Sequence, residues 1–160
     1  GTGSVRVALF DFRGQNRAYA VAEYGTTYPK NGWAEQSDYE WFEALKKAIP
    51  ECIKKAGIAA DNIAAITCDA TTNTLVYLDE NDTSVRPPIL WMDVRATEEA
   101  SFIDTIREEY DATKFYKPGF RADTMVPKCM WVKKNEPENW AKTKTINSKN
   151  NSKRPRNLHL

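Results

Sequence analysis

The chain has 160 residues, 41% of them apolar and 28% charged, with a formal net charge of +1. That is enough chain for a domain with a real core, and its composition is ordinary for a soluble globular protein. No apolar run reaches the length needed to span a bilayer, and the opening Gly1-Thr2-Gly3-Ser4 has neither the basic nor the apolar region of a secretory signal. Cys52, Cys68 and Cys129 are odd in number, widely spaced and without a zinc pattern, which points to a reducing, cytoplasmic setting. The single histidine, His159, excludes histidine catalysis within the folded part. Six of the 23 basic residues lie from Lys142 onward with no acidic residue among them, so the body carries 17 basic against 22 acidic residues. A body of that sign is a poor binder of nucleic acid.

In chain order, Val5 to Asp11 reads as a mostly buried strand, Gly14-Gln15-Asn16 as a turn and Ala18 to Tyr24 as the returning strand of a hairpin. A loop runs from Gly25 to Trp33. Ser37 and Glu40 fit a capping box that opens a helix with Trp41, Phe42, Leu45, Ala48, Ile49, Cys52, Ile53 and Ala56 inward. Gly57 suits its C-terminal cap, and Pro50 should kink it. Ile63 to Cys68, Leu75 to Leu78 and Ile89 to Trp91 read as short strands. Helices are expected over Ala96 to Tyr110, with Phe102, Ile103 and Ile106 inward, and over Asp123 to Asn135. A last helix starts at Glu136-Pro137. From Thr143 the periodicity stops, so residues 1–142 are expected to form the domain and residues 143–160 a disordered basic tail. That tail reads either as a non-native end or as a patch for an anionic partner. Paired strands followed by alternating helices and strands make the expected class α/β, with a mixed sheet flanked by helices.

Several segments together resemble the FGGY carbohydrate kinase family. They are Gly1-Thr2-Gly3-Ser4-Val5-Arg6, Gly32-Trp33-Ala34-Glu35-Gln36, Asp69-Ala70-Thr71-Thr72-Asn73-Thr74, Arg86 to Ala96, Pro127-Lys128-Cys129-Met130-Trp131 and Asn135-Glu136-Pro137-Glu138. They fall in family order over about residues 1 to 142, and the Gly-Trp-Ala-Glu-Gln and Trp-Met-Asp-x-Arg-Ala pair is the most specific part. The resemblance is to the amino-terminal domain, nearest in pattern to ribulose-, xylulose- and polyol-type kinases. It implies a partial actin-like, ribonuclease H-like ATPase fold whose first strand, with its metal-positioning Asp, is not in this chain. It also implies that the catalytic base and most of the adenine site belong to a second domain.

By the same resemblance, Thr2, Gly3, Ser4 and Arg6 are candidates for contact with the ATP phosphates, since a small-residue turn exposes backbone N–H groups. Mg²⁺ is implied with ATP, with no metal ligand assigned. Thr72 and Asn73 occupy the substrate-contacting positions, and short polar side chains suit hydroxyl recognition. The bland reading of that run is a polar turn between strands. Asp93 either meets substrate or caps the next helix, with Arg95 paired to Glu98 or Glu99. Asp123 is a further substrate candidate. Trp33 and Trp41 read as packing anchors, Glu35 as a surface or hinge residue, and the acidic pairs Glu98-Glu99 and Glu108-Glu109 as a solvated helix face. The implied reaction is phosphoryl transfer from ATP to a hydroxyl of a ketose or polyol, with this chain inactive alone. The rival is a non-catalytic sugar-binding or regulatory module. Neither reading involves nucleic acid or membrane.

Overall fold

A computed structural model describes residues 2–107 and 119–148. The class is α/β, and the chain divides into two compact units, Gly1–Thr26 with Gln36–Ala70 and Thr27–Glu35 with Thr71–Leu160.

The first unit is a hairpin covered by one helix. β1 (Ser4–Phe10) runs antiparallel to β2 (Asn16–Glu23), with Val5 opposite Ala22, Val7 opposite Ala20 and Leu9 opposite Ala18. Alternation puts the valines, Leu9 and the alanines on one face, and that face is the core. Asp11 builds the turn. Its Oδ1 accepts the backbone N–H groups of Arg13 (2.9 Å) and Gln15 (3.0 Å), and its Oδ2 holds the Arg17 guanidinium at 2.6 Å. Gly14 supplies the left-handed residue, at φ 77°.

α1 (Asp38–Ala56) begins at Ser37, whose Oγ accepts the Glu40 N–H, and ends at Gly57 in the left-handed region, whose N–H bonds to Lys54 O. The expected reciprocal half of the capping box is absent, because the Glu40 carboxylate instead accepts the Gly25 N–H at 3.1 Å. The helix runs through Pro50 without interruption. Its buried stripe is Ala44, Ala48 and Cys52, spaced one turn apart. Phe42, expected inward, is 56% exposed, because it lies two residues off that stripe. Small residues on both elements let the helix lie close on the hairpin.

Ile63–Cys68 does not form the expected strand. Only a short 3₁₀ turn at Ala60–Asn62 precedes it, and Ala64–Ala70 makes no backbone hydrogen bond with the described residues. The segment is mostly exposed, so water meets its backbone groups in place of a ladder.

The second unit pairs β3 (Leu75–Leu78) antiparallel with β4 (Thr145–Ser148), Tyr77 opposite Ile146. This corrects the expected boundary at residue 142. β4 reads as polar and aperiodic, yet β3 supplies its hydrogen bonds, Ser148 is buried and Ile146 packs on the core of Leu75, Tyr77, Ile89 and Val132. Residues 149–160 of the expected tail lie outside the described residues. Among the described residues both sheets are two-stranded and antiparallel, where one mixed sheet was expected. Ile89 makes isolated bridges to Glu35 and Leu75 in place of a strand over Ile89–Trp91. α2 (Thr97–Arg107) buries Ile103 but leaves Phe102 exposed, and the continuation expected to Tyr110, with Glu108-Glu109, lies outside the described residues. α3 (Met125–Asn135) and α4 (Pro137–Lys142) follow, the latter with Pro137 in its first turn.

Candidate functional site

In the second unit, the segment Thr71–Thr74 turns sharply before β3. Asn73 sits in the left-handed region at φ 58°, a conformation asparagine tolerates better than most residues. Three contacts hold it. The Thr71 and Thr74 hydroxyls are hydrogen-bonded at 3.1 Å. Thr74, fully buried, also accepts the Trp91 N–H on its Oγ1 at 3.2 Å. Lys128, from α3, donates from Nζ to Asn73 O (3.0 Å) and to Leu90 O (2.7 Å). Thr72 is exposed, Asn73 half-buried, and Trp91, whose backbone N–H meets Thr74, is 43% exposed. The result is a polar, pre-shaped turn tied to the backbone of the half-exposed Trp91.

Below it lies a network of buried charge. Asp93 has no exposed surface. Its Oδ2 accepts the Ala34 N–H (2.6 Å) and an Arg95 Nη2 proton (2.7 Å), and its Oδ1 accepts the Arg95 backbone and Nε protons, both at 2.9 Å. Arg95 reaches Glu35 at 2.8 Å, and Glu35 in turn holds Arg86 at 2.6 Å. Arg86 closes the chain on Glu136 at 2.8 Å. The Arg95 guanidinium lies 4.0 Å from the Trp33 ring centroid and 5.0 Å from that of Trp131, and the two rings meet each other edge-to-face. Burial works against its charge, while Asp93 and Glu35 favour it and raise its pKa overall.

This geometry sorts the expected residues. Thr72 and Asn73 share one accessible turn. Asp93 offers no open oxygen to a sugar, because all its acceptor positions face Ala34 and Arg95. It accepts the Arg95 backbone N–H ahead of α2, and Arg95 pairs with Asp93 and Glu35 rather than with Glu98 or Glu99, which take Lys134. Glu35 is a buried hub, not a surface residue. Asp123 is half-buried two residues before α3 and is held by the Arg121 guanidinium. Trp33 and Trp41 are packing residues as expected, Trp41 against Tyr24. Sequence reasoning left Thr74, Lys128 and Arg86 without a role. Their only signal was position inside quoted motifs.

The phosphate candidates lie in the first unit. Gln36 Nε2 donates to Thr2 O (2.6 Å) and Thr26 Oγ1 (2.8 Å), and Gln36 Oε1 accepts the Trp41 indole N–H at 2.9 Å. Gly3 O accepts the Tyr24 N–H (3.1 Å), and Ser4 O accepts the Tyr24 hydroxyl at 3.3 Å. A Cβ built at Gly3 would meet nothing within 4 Å, so an anion has room to approach that backbone. Arg6 is exposed on β1. Among the described residues no cluster of His, Cys, Asp and Glu could hold a metal, and no helix is long and apolar enough to cross a membrane.

Comparison with known proteins extends this picture. A xylulose kinase of Staphylococcus epidermidis is 33% identical over 141 residues, covering 88% of this chain and 27% of that protein. A glycerol kinase of Rhizobium meliloti is 31% identical over 110 residues, 68% of this chain and 22% of that protein. The crystal structure of a xylulose-type kinase from Brucella ovis superposes with a TM-score of 0.81 at 26% identity, over 92% of this chain and 30% of that one. The chain thus spans under a third of the length of these relatives. Structural neighbours of this kind have the actin-like ATPase fold. The family model for the N-terminal domain of the FGGY family of carbohydrate kinases matches residues 1–151, and the chain belongs to that family.

Proposed function

We propose that this chain forms the sugar side of an ATP-dependent ketose or polyol kinase, and that by itself it binds sugar without phosphorylating it. The observation that carries this reading is the Thr72–Asn73 turn, with Asn73 left-handed and Thr74 tied to the backbone of the half-exposed Trp91. Asn73 can donate to one hydroxyl and accept from another, and Thr72 adds a third polar contact. The indole offers an apolar face to the C–H side of a sugar. The similarity to xylulose and glycerol kinases supports a small polyhydroxylated substrate. ATP, when bound with a divalent metal, would supply the phosphoryl group, and the Thr2–Gly3 backbone and Arg6 are the groups suited to its phosphates. Phosphoryl transfer also needs a base in reach of the acceptor hydroxyl. Family resemblance assigns that base to a second domain, and this chain covers only 22–30% of its kinase relatives in the comparisons above.

Calorimetry with D-xylulose, D-ribulose, ribitol and glycerol tests this directly. Binding of one of them that is weakened at least about tenfold by Asn73→Gly, with no ADP released from ATP and Mg²⁺, is the expected result. Glycine keeps the left-handed backbone and removes only the amide. Binding unchanged by that substitution overturns the assignment of the turn, and clear turnover overturns the reading as a binding half.

A further inference from the structure

We propose that Lys128 is a positioning residue. Its ammonium joins the Thr72–Asn73 turn to the Leu90–Trp91 segment and so sets the spacing of the groups that would flank a sugar. The inference rests on the sugar-binding reading for its functional meaning, but its structural content stands on three observations. The Lys128 side chain has no exposed surface. Its two acceptors, Asn73 O and Leu90 O, belong to two loop segments 17 positions apart in sequence. Among the described residues no carboxylate lies within ion-pair distance of it.

A buried charge without a direct counter-ion is costly, and a lysine kept only for packing would be served as well by methionine. Burial indeed depresses its pKa from 10.5 to about 8, with Asp93 and Asp123 opposing that shift, Arg95 adding to it and Cys129 nearby. What the ammonium does that methionine cannot is bind two carbonyls at once. One of them belongs to Asn73, the residue held in the left-handed region. Thr74 makes the second tie between the same segments through the Trp91 N–H.

The substitution Lys128→Met separates positioning from packing. Amide hydrogen exchange at Trp91 is expected to be at least about tenfold faster in the variant, while the Val85 and Lys144 amides, which bond to Tyr77 O and Leu78 O in the same unit, change less than about twofold. Unchanged exchange at Trp91 overturns the proposal. So does a uniform rise at all three amides, which is what a merely structural lysine would give. In the unsubstituted chain the Asn73 and Leu90 carbonyl carbons should titrate with a midpoint near 8, and K128M should abolish this; flat profiles overturn the proposal. D-xylulose affinity in K128M is expected to fall about tenfold. If the unsubstituted chain binds none of the sugars, the sugar-binding reading fails, and the exchange and titration data still decide the role of Lys128.

Discussion

The two units of this chain solve the problem of a small core in opposite ways. The first packs small apolar residues, Ala18, Ala20, Ala48 and Cys52, with Val5, Val7 and Leu9 beside them. Its polar groups stay at the edges, in caps and in the Asp11 turn. The second combines an apolar cluster of Leu75, Tyr77, Ile89 and Val132 with buried Glu35, Arg86, Asp93, Arg95 and Lys128. Charges cost more to bury than methyl groups, and they return that cost only when every partner is in place. They also fix loops in a way that apolar contacts cannot, because each hydrogen bond has a direction. The unit with buried charge is the one that carries the Thr72–Asn73 turn.

The largest effect should come from breaking the charged network. Arg95→Ala leaves Asp93 buried without its cation and strips Glu35 of one of its two, and a loss of about 3–5 kcal/mol is expected in urea denaturation. A loss below about 1 kcal/mol would erase the contrast between the units. In the first unit the matching test is overpacking. Ala48 has no exposed surface, and Ala48→Leu should cost about 1–3 kcal/mol by forcing α1 off the hairpin. Near-neutral behaviour would show that its packing is loose.

Smaller effects sharpen the comparison at the edges. Gly57→Ala should cost about 1 kcal/mol, since φ is 67° there and the added methyl meets nothing within 4 Å. Backbone strain alone is thus measured, and a stabilised variant would contradict the assigned cap. The pH response separates the units further. The Lys128 pKa is lowered on folding, so the folded state gives up its proton first, and this lysine's contribution to stability improves as pH rises from about 8 towards 10.5. Tyr77 and Cys129 have raised pKa values and act in the opposite direction at high pH. The difference between the chain and its Lys128→Met variant isolates the lysine, and a flat difference would refute its shift. Asp11, by contrast, is held below its usual value chiefly by the Gln15 N–H, so its modest contribution is present above pH 3.8 and fades on acidification below it.

Much of the first unit was legible because its signals are local. Gly14 in the hairpin turn, Ser37 at the helix start and Gly57 at its end each act within a few residues of themselves. The motifs and their order likewise pointed to the family. The sequence could not show that Glu40 would serve Gly25, that Ile63–Cys68 would find no strand partner among the described residues, or that Thr145–Ser148 would find one. Nor could it show that Asp93, Arg95, Glu35 and Arg86 form one buried chain of ion pairs, or that Lys128 spans two loops. Caps and turns are decided by neighbours in sequence, where side chain and backbone meet whatever the rest of the chain does. Strand partners and buried ion pairs are decided by residues tens of positions apart, and only the tertiary structure brings those to hydrogen-bonding distance.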